Sequence, residues 1–114
     1  MLRNIVVAPD RGTAIRDVGP AIAESYRIFG NWGLFTGVVG DANTHPEFDD
    51  LIADRFIIGS ADECAAQITN LMQVTGCNRL VTRIQWVGME HRYVMRTIEL
   101  LGSKVAPLVD KALA

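Results

Sequence analysis

The sequence predicts an α/β fold with parallel strands, and three observations predict it. Arg55-Phe-Ile-Ile58 is a short apolar run that stops at Gly59. Ser60-Ala-Asp-Glu63 has the form of a capping box, in which the serine hydroxyl accepts from the third helical N–H and the glutamate reaches back to the cap N–H. Leu80 to Trp86 is a second strand pattern, followed after Val87-Gly88 by a second helical one. Strand, helix, strand, helix in this order makes a βαβα unit, whose crossover leaves the strands parallel.

Each element has its own signals. Asn4 to Ala8 reads as a strand and Pro9-Asp-Arg-Gly12 as a turn. From Thr13 a helix places Ile15, Val18, Ile22, Tyr26 and Phe29 at three- and four-residue steps. Pro20 lacks an N–H and crowds the preceding turn, so a kink or break is expected there. The uncharged, glycine-rich segment from Gly30 to Gly40 is expected as a loop or short irregular helix. Pro46 suits the first position of a short helix, with Thr44 or His45 as cap and Phe48, Leu51 and Ile52 buried. After the capping box, Cys64, Ile68, Leu71, Met72 and Thr75 share one stripe, and Gly76 stands where a left-handed C-terminal residue is wanted. The helix after Gly88 puts Val94, Met95, Ile98 and Leu101 on one face. Lys104-Val-Ala-Pro107 either extends it or starts a separate final turn.

A chain of 114 residues suits a single domain spanning 1–114, and 49% hydrophobic residues suffice for a core. The net charge is −2, from 11 basic and 13 acidic residues well mixed along the chain, so no basic stripe points to nucleic acid. The longest apolar stretch, Trp32 to Gly40, falls far short of the ~20 residues of a membrane span. The N-terminus enters a strand directly, without the pattern of a secretory signal. Cys64 and Cys77 have no CxxC spacing, and Cys64 lies on an apolar stripe, as a small buried hydrophobe does. A reduced, cytoplasmic protein is the expectation.

Three strings carry a family resemblance: Phe56-Ile-Ile-Gly-Ser60, Arg83-Ile-Gln-Trp-Val-Gly-Met89, and Arg96-Thr-Ile-Glu-Leu-Leu101 running on through Val105-Ala-Pro107. Together they resemble the C-terminal end of luciferase-like flavin-dependent monooxygenases, closely over residues 55–107 and loosely over 1–40. The resemblance implies a partial (β/α)8 TIM barrel of about three parallel strands with flanking helices, since a whole barrel takes about 250 residues. It implies FMN as cofactor, with the deazaflavin F420 as the alternative, and a chain that is catalytically incomplete alone and need not bind a cofactor by itself. It also implies a missing surface, covered by a second copy (a homodimer) or by a chain supplying the rest of the barrel. A non-catalytic binding or oligomerisation module derived from such a barrel is the alternative function. The uncharged segment with Trp32, Leu34, Phe35 and Val38 is the expected contact.

Four residues are candidates for cofactor binding: Gly59, Ser60, Arg83 and Trp86. A strand ending in glycine and opening a helix exposes N–H groups that can hold phosphate, as loops after late barrel strands do; equally, Ser60 is simply a cap. Arg83 and Gln85 alternate with Leu80, Thr82, Ile84 and Trp86; being polar, they suit the barrel interior near the strand's C-terminal mouth, where ligands sit, or else they pair with interior carboxylates or lie at an open edge. Trp86 either walls a pocket or belongs to the core. His45 and His91 have no second ligand at metal spacing and no triad partner, so neither a metal nor a catalytic residue is assigned.

Overall fold

Strand β1 (Leu2–Val7) lies at the centre of a three-stranded parallel sheet, with β2 (Phe56–Gly59) on one side and β3 (Val81–Arg83) on the other. The computed structural model describes residues 1–31 and 56–114. Asn4 pairs with Phe56 and Val7 with Gly59, while Leu2 pairs with Val81 and Asn4 with Arg83. The chain is thus α/β, with three parallel strands and flanking helices. Consecutive strands are not all neighbours, because β1 stands between β2 and β3.

Helices cover both faces of the sheet, and the period of two along the strands sorts the side chains between them. Val6, Ala8, Phe56 and Ile58 pack with Ala14, Val18 and Ile22 of α1 (Arg11–Asn31). Ile5, Val7 and Ile57 pack with Cys64, Ala65 and Ile68 of α2 (Ala61–Thr75). The second layer is completed by Val105 and Val109 near the C-terminus. Ile5, Val6 and Val7 are all 0% exposed. Each such side chain is worth roughly 1.5–3 kcal/mol of transfer free energy, an upper figure because unfolded chains already hide some surface.

The helices end as their sequences direct. Helix α2 opens on the full capping box, with Ser60 Oγ accepting from Glu63 N at 3.2 Å and Glu63 Oε1 accepting from Ser60 N at 3.1 Å. It closes on Gly76 in the left-handed region at φ 73°, whose N–H donates to the Met72 carbonyl. Thr75 is exposed and bonds back to the Leu71 carbonyl at 2.7 Å, so it stands outside the expected stripe. Helix α1 begins at Arg11, two residues before the expected start, because Asp10 caps it: its carboxylate accepts from Thr13 N at 2.7 Å and from the Thr13 hydroxyl at 2.9 Å. These bonds, the backbone one first, hold the Asp10 carboxyl below its ordinary pKa. The helix is not broken at Pro20, which faces solvent; the missing N–H forfeits one intrahelical bond on the exposed side.

Two further expectations need correction. The last strand is three residues long, Val81–Arg83, although the alternation persists beyond it: Thr82, Ile84 and Trp86 turn inward while Val81, Arg83 and Gln85 are exposed. Helix α3 (His91–Leu100) buries Val94 and Thr97, leaving Met95 49% and Ile98 46% exposed, so its inner face is rotated from the expected one. The reason is Thr97. Beyond Arg83 no strand among the described residues pairs with β1 on that side, and the Thr97 hydroxyl takes the place, accepting from Val7 N at 3.2 Å and donating to Val7 O at 3.4 Å. Helix α3 then runs through a five-residue π turn, Leu101–Val105, into α4 (Ala106–Leu113). Lys104 to Pro107 therefore extend the helix. No helix among the described residues is long and apolar enough to cross a membrane. The expected helix from Pro46 and the expected contact residues Trp32, Leu34, Phe35 and Val38 lie outside the described residues.

Candidate functional site

Two cavities adjoin the sheet, and they divide the four candidate cofactor residues between them. The first, about 450 Å³, lies where β1 and β2 end: Ala8, Ser60 and Asp62 line it together with Ser103, Lys104 and Leu108 of the π turn and α4. The second, about 510 Å³, lies on the α1 side and is lined by Ser25, Phe29, Arg83, Gln85 and Trp86 with the Val87-Gly88 turn. The structure brings Arg83 and Trp86 together and does not bring Ser60 to them.

At the first cavity local structure explains the residues fully. Gly59 has φ 153°, and a Cβ there would meet the Glu63 side chain at 3.0 Å, so glycine is needed for the glutamate to reach back over the strand end. Both the hydroxyl and the N–H of Ser60 are used by the capping box. Asp62 and Glu63 place two carboxylates in the first turn of α2. They favour the helix's positive end and oppose a phosphate there. Lys104 supplies a single positive charge at the rim.

The second cavity has a different chemistry. Trp86 is 5% exposed and packs on Phe56 with ring centroids 5.4 Å apart; Phe56 in turn meets Tyr26 edge-on at 5.9 Å. Trp86 is thus core and cavity wall at once. The turn that follows is closed by Met89 N donating to the Trp86 carbonyl at 3.1 Å, and α3 starts at His91, one residue after Glu90. Arg83 is exposed and, among the described residues, has no ion pair or hydrogen bond to its side chain. Ser25 is 3% exposed and its hydroxyl has no hydrogen-bond partner among the described residues. The sequence reading passed over Ser25. The signal was a hydroxyl three residues past Ile22, on the buried stripe of α1, where an apolar residue is the rule.

Other titratable groups serve structure. Burial, and then the neighbouring Glu63 charge, push the Cys64 thiol up to about 12, and its sulfur lies 3.8 Å from the Val6 carbonyl. A thiol held protonated is a poor nucleophile. Arg96 donates to Asp17 at 3.0 Å and stacks over Tyr93 at 4.9 Å, tying α3 to α1. Among the described residues no group of three or more His, Cys, Asp or Glu side chains could hold a metal ion.

Fold and cavities together define an α/β protein with a short parallel sheet and a donor-rich, aromatic-walled pocket on its α1 face. No protein-family model matches the chain, and no curated protein matches it.

Proposed function

We propose that the chain is the C-terminal part of a luciferase-like flavin-dependent monooxygenase, a cytoplasmic enzyme that oxidises an organic substrate with O2. The observation that carries the proposal is the string Gln85-Trp-Val-Gly-Met89, followed by Arg96 to Leu101, lying at a strand–turn–helix junction beside a cavity. Reduced FMN, or F420 in its place, supplies the redox chemistry; the protein binds, orients and excludes water. Of the four candidate residues, Arg83 and Trp86 suit such a cofactor, offering a guanidinium unpaired among the described residues and a flat aromatic wall. Ser60 does not, since its hydroxyl and N–H are already committed and two carboxylates adjoin it.

In a closed barrel each strand lies between its sequence neighbours, so β2 would separate β1 from β3. Without the rest of a barrel, β3 pairs instead with the free edge of β1, and the order β2-β1-β3 covers both edges of that strand. The proposal therefore includes a change of partners: in the whole enzyme β3 pairs with β2. The test is to mix the chain with the missing first half of such a barrel, then follow flavin binding and flavin-dependent O2 consumption. Alone the chain is inactive; completed, it turns over. Turnover of about 1 s⁻¹ or more by the chain alone would contradict the incompleteness. No flavin bound by the completed pair would contradict the family reading.

A second reading, a non-catalytic oligomerisation module, is favoured by β3, an edge strand among the described residues, whose Val81 is 62% exposed beside Leu2 of β1, 55% exposed. An unpaired apolar edge is a template for another strand. A colourless homodimer by light scattering, with no flavin affinity in the completed pair, is its signature; a 12.5 kDa monomer argues against it.

A further inference from the structure

We propose that the cavity between the C-terminal half of α1 and the Arg83–Gly88 segment is a binding site for a small organic acid, a carboxylate on a flat apolar body. The inference does not depend on the monooxygenase reading. It rests first on Ser25. A hydroxyl that is 97% hidden (3% exposed) and unpartnered among the described residues is costly to leave so, and it lines the cavity. A ligand oxygen satisfies it.

The charge around that hydroxyl is one-sided. Arg83 brings five N–H donors and Gln85 two more, and among the described residues no acidic side chain lines the cavity. Nothing among the described residues neutralises the Arg83 guanidinium. A planar fork of donors matches a carboxylate in bidentate fashion. The remaining wall is apolar and aromatic, from Trp86 and Phe29, and it suits a flat body rather than a free ion. A volume of about 510 Å³ lies in the ordinary range for a small-molecule pocket.

The experiment is calorimetric titration of the full chain, without flavin, using 2-naphthoate and its neutral amide as probes. The acid is expected to bind about tenfold or more tightly than the amide, because the contrast is one charge-assisted pair. Arg83→Gln abolishes that preference, while Lys111→Gln, remote from both cavities, preserves it. Ser25→Ala weakens the acid several-fold and leaves Tm unchanged or higher, since it deletes a buried, unpartnered hydroxyl. Four results overturn the proposal: no heat at millimolar acid, equal binding of acid and amide, a preference that survives Arg83→Gln, or a Ser25→Ala chain that loses Tm and keeps its affinity. Inorganic phosphate displacing the acid at equal concentration also overturns it, since the site is then a simple anion site.

Discussion

The two neighbours of β1 are held in opposite ways. Strand β2 is buried along its whole length and runs into a capped helix; β3 is three residues long, with Val81 and Arg83 exposed. Their ladders are similar, with four paired residues against three. What differs is the cover. Helix α1 lies over one face of β2 and α2 over the other, whereas β3 turns only Thr82 toward the interior, and that partly. In a parallel sheet the hydrogen-bond ladder aligns strands, and apolar burial by helices secures them. The comparison also separates the roles of the two flanks: the well-covered one closes its polar groups on themselves, and the poorly covered one leaves Arg83 and Gln85 open to a ligand.

The largest expected effect sharpens this contrast. Ile58→Ala, at a β2 site 2% exposed, is expected to cost about 2–5 kcal/mol in urea unfolding. Val81→Ala, on β3, is expected to stay within about 0.5 kcal/mol. Comparable losses would mean that both flanks depend on side-chain cover alike. Next comes Thr97→Val, which keeps the shape and strands the Val7 N–H in the interior. A loss of about 1–3 kcal/mol is expected, and hydrogen exchange at Val7 should quicken. A neutral outcome would show that β1 needs no partner beyond Arg83. Ser60→Ala removes the cap acceptor and is expected to cost about 1 kcal/mol, without changing affinity for the acid probe on the opposite face.

The effect that is smallest at neutral pH is a pH dependence. The thiol of Cys64 ionises near 9.0 when unfolded and at about 12 when folded. Its folded value is raised, so its contribution is complete below about pH 9 and declines as pH climbs toward 12, because only the unfolded chain releases the proton in that window. The difference between wild type and Cys64→Ala should shrink over the same interval in urea titrations. A constant difference would place Cys64 in contact with water.

Periodicity made much of this legible. The β2–α2 join was readable residue by residue, because Gly59, Ser60, Glu63 and Gly76 each have a local reason to be where they are. The inward set Thr82, Ile84 and Trp86 followed from alternation. The strand order did not, since nothing in the residues of β3 says which edge of the sheet it will join. Nor did the face of α3. The expected face of Val94, Met95, Ile98 and Leu101 leaves Thr97 out, and only the end of β3 at Arg83 creates the vacancy that its hydroxyl fills. The pocket was half readable: Arg83, Gln85 and Trp86 are adjacent in sequence, whereas Ser25 reaches them only through the packing of α1.

The π turn sets the angular phase of everything after it. Ala106 N donates to the Leu101 carbonyl, a five-residue step, so the helix carries one residue more than an α-helical path of that rotation needs. Val105 and Val109 reach the α2 layer because the turn takes up that surplus. Closing the stretch as an ordinary α-helix with every residue kept would swing α4 by about 100° about its axis. Val109 would then leave the sheet. The last turns of this chain work like a screw thread cut to a single start: they tolerate changes of side chain far better than a change of pitch.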